Sequence, residues 1–449
     1  MTASSARLDH RTARRPRVLV LAEAANPDWV SVPLVGWSLA HALREVADVH
    51  LVTQVRNRDA ILGAGYRDGE DVTFIDNEAF AARAQRLSSR LGGGRGVGWT
   101  VNQAIGSLAY PQFERLAWQR FASEISAGSF DLVHRVTPVS PTLFGPFGAR
   151  AAARGVPFVI GPLNGGVPWP PAFDAERRRE WEWLSYVRSG YKLLPGRAAS
   201  LKSAAAILAG SRHTAREIPR RHRDRTLWLP ENAIDPDRFD LNAPRRRAPG
   251  PLRAAFIGRL VPYKGPDMAL EAALPLLKAG RMTLDVVGDG PLAAPLEGRV
   301  AEAGVGDRVT LHGWRDHREV QSVLGRADIL AFPSIREFGG GVVLEAMALG
   351  TVPIVVDYGG PGELVTAETG IALALGPRAD IVARLRAALE TAAAAPEALA
   401  PMSQAGRALV RAHFTWEAKA RQIADVYAWV LGHRASRPDF ALPVSGASA

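Results

Sequence analysis

Two carboxylates, Glu337 and Glu345, stand eight residues apart, and three glycines, Gly339, Gly340 and Gly341, follow the first. The residues after Glu345, AMALGTVP, read as a helix and its end. The glycines therefore lie where a loop becomes a helix. Glycine permits close backbone approach, and a helix N-terminus offers unpaired N–H groups and the positive end of the macrodipole. A diphosphate fits there without a further basic residue. Glu345, about one turn into the helix, would reach a diol such as a ribose. Glu337, ahead of the glycines, would touch whatever hangs from the other phosphate. The alternative is an ordinary helix start, with a glutamate as dipole partner and Gly350 as the C-cap.

Arg259 and Lys264 form a second constellation in FIGRLVPYKG, just after a strand end. They would give a departing diphosphate the diffuse positive charge it needs. Lys264 draws notice because the chain has only four other lysines, at 192, 202, 278 and 419. Gly288 in VVGDGP marks another strand-to-loop turn, and His134 in DLVHRVTP stands at a further strand end. A lone strand histidine is as readily a satisfied core group as a functional one. Asn164, Gly165 and Gly166 in GPLNGGVPWP follow yet another strand end and are expected to line a cleft; a Pro/Gly turn without ligand is the competing reading. GGGRGVG (92–98) lacks the Lys-Ser/Thr of a Walker loop and reads as a mobile surface loop.

Positioning these groups requires a scaffold of buried strands. RVLVLAEA (17–24), DVHLVTQV (48–55), FDLVHRV (130–136), VPFVIGP (156–162) and AAAILAGS (204–211) are continuous apolar runs suited to strands covered on both faces. They alternate with helical stretches such as PLVGWSLAHALREV (33–46), the pattern of a parallel, doubly wound sheet. LNAPRRRAPGP (241–251) breaks the rhythm as a linker. LRAAFIGRL, MTLDVVGDG, RVTLHGW, DILAFPS and VPIVVD then supply a second set of strands, with PDMALEAALPLLKAG, HREVQSVLGRA and VVLEAMALG as helices between them. The fold class is α/β: two Rossmann-like domains facing each other across a cleft. Ligands of open α/β sheets bind beyond the carboxyl ends of the strands.

The whole chain, 449 residues at 47% hydrophobic, carries enough apolar material for two or three domains. Its net charge of +10 raises a nucleic-acid or membrane reading. The basic residues are nearly all arginine, however, and no zinc spacing, RNA-binding signature or basic zipper accompanies them. No nucleic-acid partner is expected. With no cysteine, disulfides, thiolate metal sites and cysteine nucleophiles are excluded. The polar, basic start runs directly into a short strand-like segment, so neither a secretory signal nor a membrane span is expected, and a cytoplasmic location is. ERRREWEWLSYVRSGYKLLPGR (176–197) mixes arginine with aromatics; it reads as a basic amphipathic surface helix or as a dock for the inner face of the plasma membrane or a long acceptor.

GRLVPYKG, VVGDGP, LHGW, FPSIREFGGGVVLEAMALGTVPIVVDYGG and GELV, in this order, resemble the nucleotide-sugar domain of glycosyltransferase family 4, retaining enzymes of GT-B architecture. The linker divides the chain into domains over 1–241 and 242–414; the amphipathic helix 415–434 is expected to pack back on the first, and the tail from 435 to 449 to be loose. The resemblance implies that the second domain binds the donor and the first the acceptor. It implies that Arg259 and Lys264 hold the diphosphate with Gly288 beside them. Glu337 would contact the donor sugar, and Glu345 the ribose. The backbone from Phe338 through Gly339, Gly340 and Gly341 to Val342 would meet sugar and phosphates. His134 would stand near the reacting sugar, with Val136 where a second histidine often occurs. The β1-side loop EAANPDWVSVPLVGWSLA lacks the Gly-Gly pair common in the family and has Gly36 alone. PENAIDPDRF (230–239) resembles the family's Asn-Gly-Val-Asp segment, with Ala233 for glycine. Its Asp235 and Asp237 mimic a metal-binding pair, but the resemblance implies no required metal. The co-substrate would be a nucleoside diphosphate sugar, and the acceptor a hydroxyl of a glycan, a lipid-linked precursor or a small secondary metabolite.

Two other classes compete. A non-catalytic nucleotide- or glycan-binding protein would keep the fold but lose the phosphate cations or Glu337; all are present. A dinucleotide oxidoreductase would need G-x-G-x-x-G after the first strand, where EAANPDWV stands instead.

Overall fold

The structure is a computed structural model, and it describes residues 14–78, 98–174, 195–239, 241, 247 and 249–442. Most of the basic aromatic stretch, the glycine-rich loop at 92–97 and most of the expected linker lie outside the described residues.

Seven strands form the first sheet: β1 (Arg17–Ala22), β2 (Asp48–Gln54), β3 (Val72–Ile75), β4 (Leu132–Thr137), β5 (Phe158–Leu163), β6 (Ala204–Ala209) and β7 (Thr226–Trp228). Six form the second: β8 (Leu252–Ile257), β9 (Met282–Val287), β10 (Val309–Gly313), β11 (Ile329–Phe332), β12 (Val352–Val356) and β13 (Ile371–Leu373). Their orders are β3-β2-β1-β4-β5-β6-β7 and β10-β9-β8-β11-β12-β13. The pairings are parallel. Strand order therefore reverses between β1 and β4 in one sheet and between β8 and β11 in the other. Each reversal splays the following loops apart and opens a crevice at the carboxyl edge.

The apolar runs are strands because both faces are covered. Val18 through Ala22 and Ala254 through Phe256 are fully buried, with helices on either side. Among those helices are α1 (Val32–Leu43), α2 (Arg212–Glu217), α3 (Pro266–Lys278), α4 (Gly341–Ala348), α5 (Gly360–Leu364) and α6 (Trp416–Val430). The first sheet packs one face with α1 and α6: Trp37 and Leu39 meet Trp416, Ile423 and Tyr427 in one cluster. Thr415 caps α6 by accepting from the Ala418 N–H at 3.1 Å.

The chain does not divide cleanly at residue 241. Trp169, Phe173, Ile234 and Phe239 belong to the core of the second sheet, so the loop after β5 and the segment after β7 are anchored there. The tail expected to be loose from Ala435 is held as far as Leu442. Arg437 donates to the Thr226 carbonyl at 2.6 Å, Phe440 packs on the first core and Leu442 is buried against the second. Two apolar side chains in a polar tail gain enough by burial to fix it. Among the described residues no helix is long and apolar enough to cross a membrane.

Candidate active site

The second sheet brings the predicted donor-side residues together. Arg259 and Lys264 follow β8, and Glu337 follows β11, the two strands flanking the order reversal. Lys264 lies in the short turn ahead of α3, which Gly265 enters with φ of 73°. Its Nζ donates to Glu337 Oε2 and stands 5.4 Å over the Phe332 ring. Burial and the Arg259 guanidinium pull the Lys264 ammonium down to about 8. Arg259 itself is exposed.

Gly340 is the N-cap of α4 at φ 62°, a conformation that favours glycine, and no side-chain hydrogen bond caps the helix. The Val343 N–H turns back to the Gly340 carbonyl at 2.9 Å, and the amides of Gly341 and Val342 open the helix just after Glu337. Gly339 is needed for a different reason. A Cβ there would run into Glu231 Oε1 and Asn232 Nδ2. Phe338 stacks under the Arg336 guanidinium at 5.7 Å, and Val342 packs on the core from the first turn of α4. Glu345 lies one turn further in, half-buried; burial raises its carboxyl to about 7, with Arg238 pulling the other way. Gly288 has a plainer role: its N–H donates to the Gly313 carbonyl at 2.9 Å, and a Cβ would strike the Gly258 carbonyl. It lets the loops after β8 and β9 cross.

The first sheet contributes differently from expectation. His134 is fully buried, with Nδ1 2.7 Å from the Tyr427 hydroxyl and Nε2 2.7 Å from the Gly161 carbonyl. Both ring nitrogens are used inside the domain, and burial lowers the ring to about 4. The reacting role expected for it is replaced by one of fastening α6 to the sheet. Asn164 does not line the cleft either. It is buried, its Nδ2 donates to both Glu231 oxygens at 2.8 Å, and its Oδ1 accepts from the Gly165 N–H. Gly165 and Gly166 are the more open part of that loop, with φ of 138° and 76°. Asp235 and Asp237 form a turn, the Asp237 N–H donating to Asp235 Oδ1 at 3.0 Å.

Three further residues join the halves of the site. Arg336 donates to the Val167 carbonyl at 3.4 Å and stands 5.3 Å over the Trp169 ring. Tyr358 donates to the Pro168 carbonyl at 2.9 Å. Glu363 of α5 accepts from the Arg212 N–H at 2.7 Å and from Trp228 Nε1 at 2.8 Å. Arg336 and Glu363 lie inside the motifs quoted above, but spacing along one domain gives no sign that they reach the other.

Residues 237–408 match the family model described as Glycosyl transferases group 1. That match covers the second sheet and every donor-side residue named above. Among curated relatives, the 2-deoxystreptamine glucosyltransferase of Streptomyces kanamyceticus is 31% identical over 256 residues, 50% of this chain and 66% of that protein. The glycogen synthase of Mycobacterium tuberculosis is 34% identical over 199 residues, 44% of this chain and 47% of that protein. The chain thus spans about half to two thirds of the length of these relatives. Among solved structures, Anabaena HepE in complex with UDP and glucose superposes with a TM-score of 0.56 at 16% identity, over 92% of this chain and 100% of that one. The sucrose-phosphate synthase of Thermosynechococcus elongatus gives 0.56 at 19%, over 94% and 100%. These likenesses establish the two-sheet GT-B fold.

Proposed function

We propose that the protein transfers a sugar from a nucleoside diphosphate sugar to an acceptor hydroxyl with retention at the anomeric carbon. The observation that carries this reading is the meeting of Lys264 with Glu337 at the N-terminus of α4, at the order reversal of the second sheet. The family match over the same residues supports it, and UDP and glucose in HepE supply the analogy for the donor.

In this scheme Lys264, Arg259 and the α4 amides stabilise charge on the leaving diphosphate. Glu337 orients the sugar and favours positive charge at its anomeric carbon. The bond from that carbon to the phosphate oxygen breaks, the acceptor oxygen bonds on the same face, and the acceptor proton passes to the departing phosphate. Closure of the two domains excludes water. A double displacement through an enzyme carboxylate is the competing route to retention. The acceptor is read as a bacterial glycan or glycoconjugate precursor. A small secondary metabolite is the second reading, and the likeness to a 2-deoxystreptamine glucosyltransferase favours it.

The test is a hydrolysis screen over UDP-, GDP- and ADP-sugars. Slow, enzyme-dependent release of one nucleotide identifies the donor without knowledge of the acceptor. Release no faster than in buffer across the panel, with no binding of the three diphosphates, rejects the proposal.

A further inference from the structure

Glu231 is a buried carboxylate on which four distant parts of the chain converge. Asn164, at the end of β5, donates to both of its oxygens. Gly210, at the end of β6, comes so close that a Cβ there would stand 2.5 Å from Oε2. Gly339 approaches from the second sheet's glycine loop, where a Cβ would collide with Oε1. Lys419, buried on α6, is the cation that acts on it. Burying a carboxylate is costly unless it is paired and hydrogen-bonded, so its presence calls for a reason.

Its chemistry supplies one. Asn164 Nδ2 stands equally close to both oxygens, so its N–H is shared between two acceptors; a glutamine at 231 would set its own amide N–H against that donor. Asn164 also opens the loop whose Val167 and Pro168 carbonyls accept from Arg336 and Tyr358. The contacts of Glu231 therefore run from the first-sheet loop to the glycine loop within one side chain.

We propose that Glu231 is a positioning residue, a strut that sets the loop at 164–166 against the glycine loop at 339–341 so that a nucleotide held at the second orders the first. The inference rests on the donor reading of the glycine loop given above. It concerns a buried residue held between the two loops, and it predicts a coupling between them.

Hydrogen exchange on the full chain, with and without whichever of UDP, GDP or ADP binds, reads that coupling directly. In the unmodified protein, nucleotide should slow exchange in peptides spanning 339–345 and, by about 10-fold, in those spanning 164–167. In Glu231→Gln, slowing should persist at 339–345 and disappear at 164–167. Asn164→Ala cuts the strut from the other end and should do the same. The double variant Asn164→Asp/Glu231→Gln reverses donor and acceptor and should restore the slowing at 164–167; a residue that merely stabilises the fold would give no such rescue in step with nucleotide. Undiminished slowing at 164–167 in Glu231→Gln, or no slowing there in the unmodified protein, overturns the strut while leaving the donor reading standing. Failure of all three nucleotides to bind overturns the donor reading, and the strut falls with it.

Discussion

Lys264 donates to the carboxylate of Glu337 across the order reversal of the second sheet. The cation assigned to the diphosphate and the acid assigned to the sugar are thus partners of each other. A diphosphate that engages Lys264 competes with Glu337 for the same ammonium, and that exchange would release the carboxylate toward the sugar.

Glu337→Gln tests the competition because the two roles respond in opposite directions. Removing the charge weakens the hold on Lys264, so a nucleoside diphosphate should bind up to about 10-fold more tightly by calorimetry. Turnover should fall by about 100-fold or more, since sugar orientation and charge stabilisation are lost. Near-normal turnover removes Glu337 from the chemistry.

Lys264 and Arg259 should not contribute equally. Lys264 is mostly buried between Phe332 and Glu337, whereas Arg259 is exposed. A charge-assisted contact gains strength where water is excluded. Lys264→Ala should weaken diphosphate binding by roughly 10- to 100-fold and Arg259→Ala by only about 3-fold. Equal losses from the two variants, measured by calorimetry, would contradict the burial argument.

Nucleotide affinity should describe a bell in pH. The Glu345 carboxyl is raised to about 7, and accepting from a ribose diol favours its ionised form. That contribution is present above about 7 and fades as pH falls through it. The Lys264 ammonium is lowered to about 8, and a bound diphosphate favours its protonated form. That contribution is full below about 8 and fades as pH rises. Affinity should therefore peak between the two. Glu345→Gln should flatten the acid limb and leave the alkaline limb, and Lys264→Met the reverse. Calorimetric titration across pH checks both limbs.

The strands read most clearly from the sequence are those buried on both faces. Within β1, β8 and β11, VLVLA, AAFI and ILAF are uninterrupted apolar runs because helices cover them from either side. The strands not foreseen, β3, β7 and β13, are short edge strands of three or four residues with half-buried positions, too brief to show a period. At the candidate site, the meeting of Lys264 with Glu337 and the glycine N-cap of α4 are legible because each of these residues lies close in sequence to a clear strand end. The apolar runs place His134 in β4 and Asn164 at the end of β5, but not the direction in which either side chain points. The partners that turn them inward, Glu231 and Tyr427, are 67 and 293 residues away. Long-range partners leave no periodic trace in a single sequence.

His134 gives a stability signature separable from catalysis. A histidine unfolds to an ordinary value near about 6.5, while burial holds the folded ring at about 4. Between those values the unfolded chain binds the extra proton, so stability rises with pH and is lost on acidification from about 6.5 toward 4. At about pH 5 the loss from this one group is roughly 2 kcal/mol relative to neutral pH. His134→Gln keeps one donor and one acceptor for Gly161 and Tyr427 but does not titrate. Urea unfolding at about pH 7.5 and about pH 5 should show a smaller acid loss in the variant by that amount, whatever its stability at neutral pH. Equal acid losses in the two proteins would mean that the ring is open to protonation in the folded state, and would return it to the cleft.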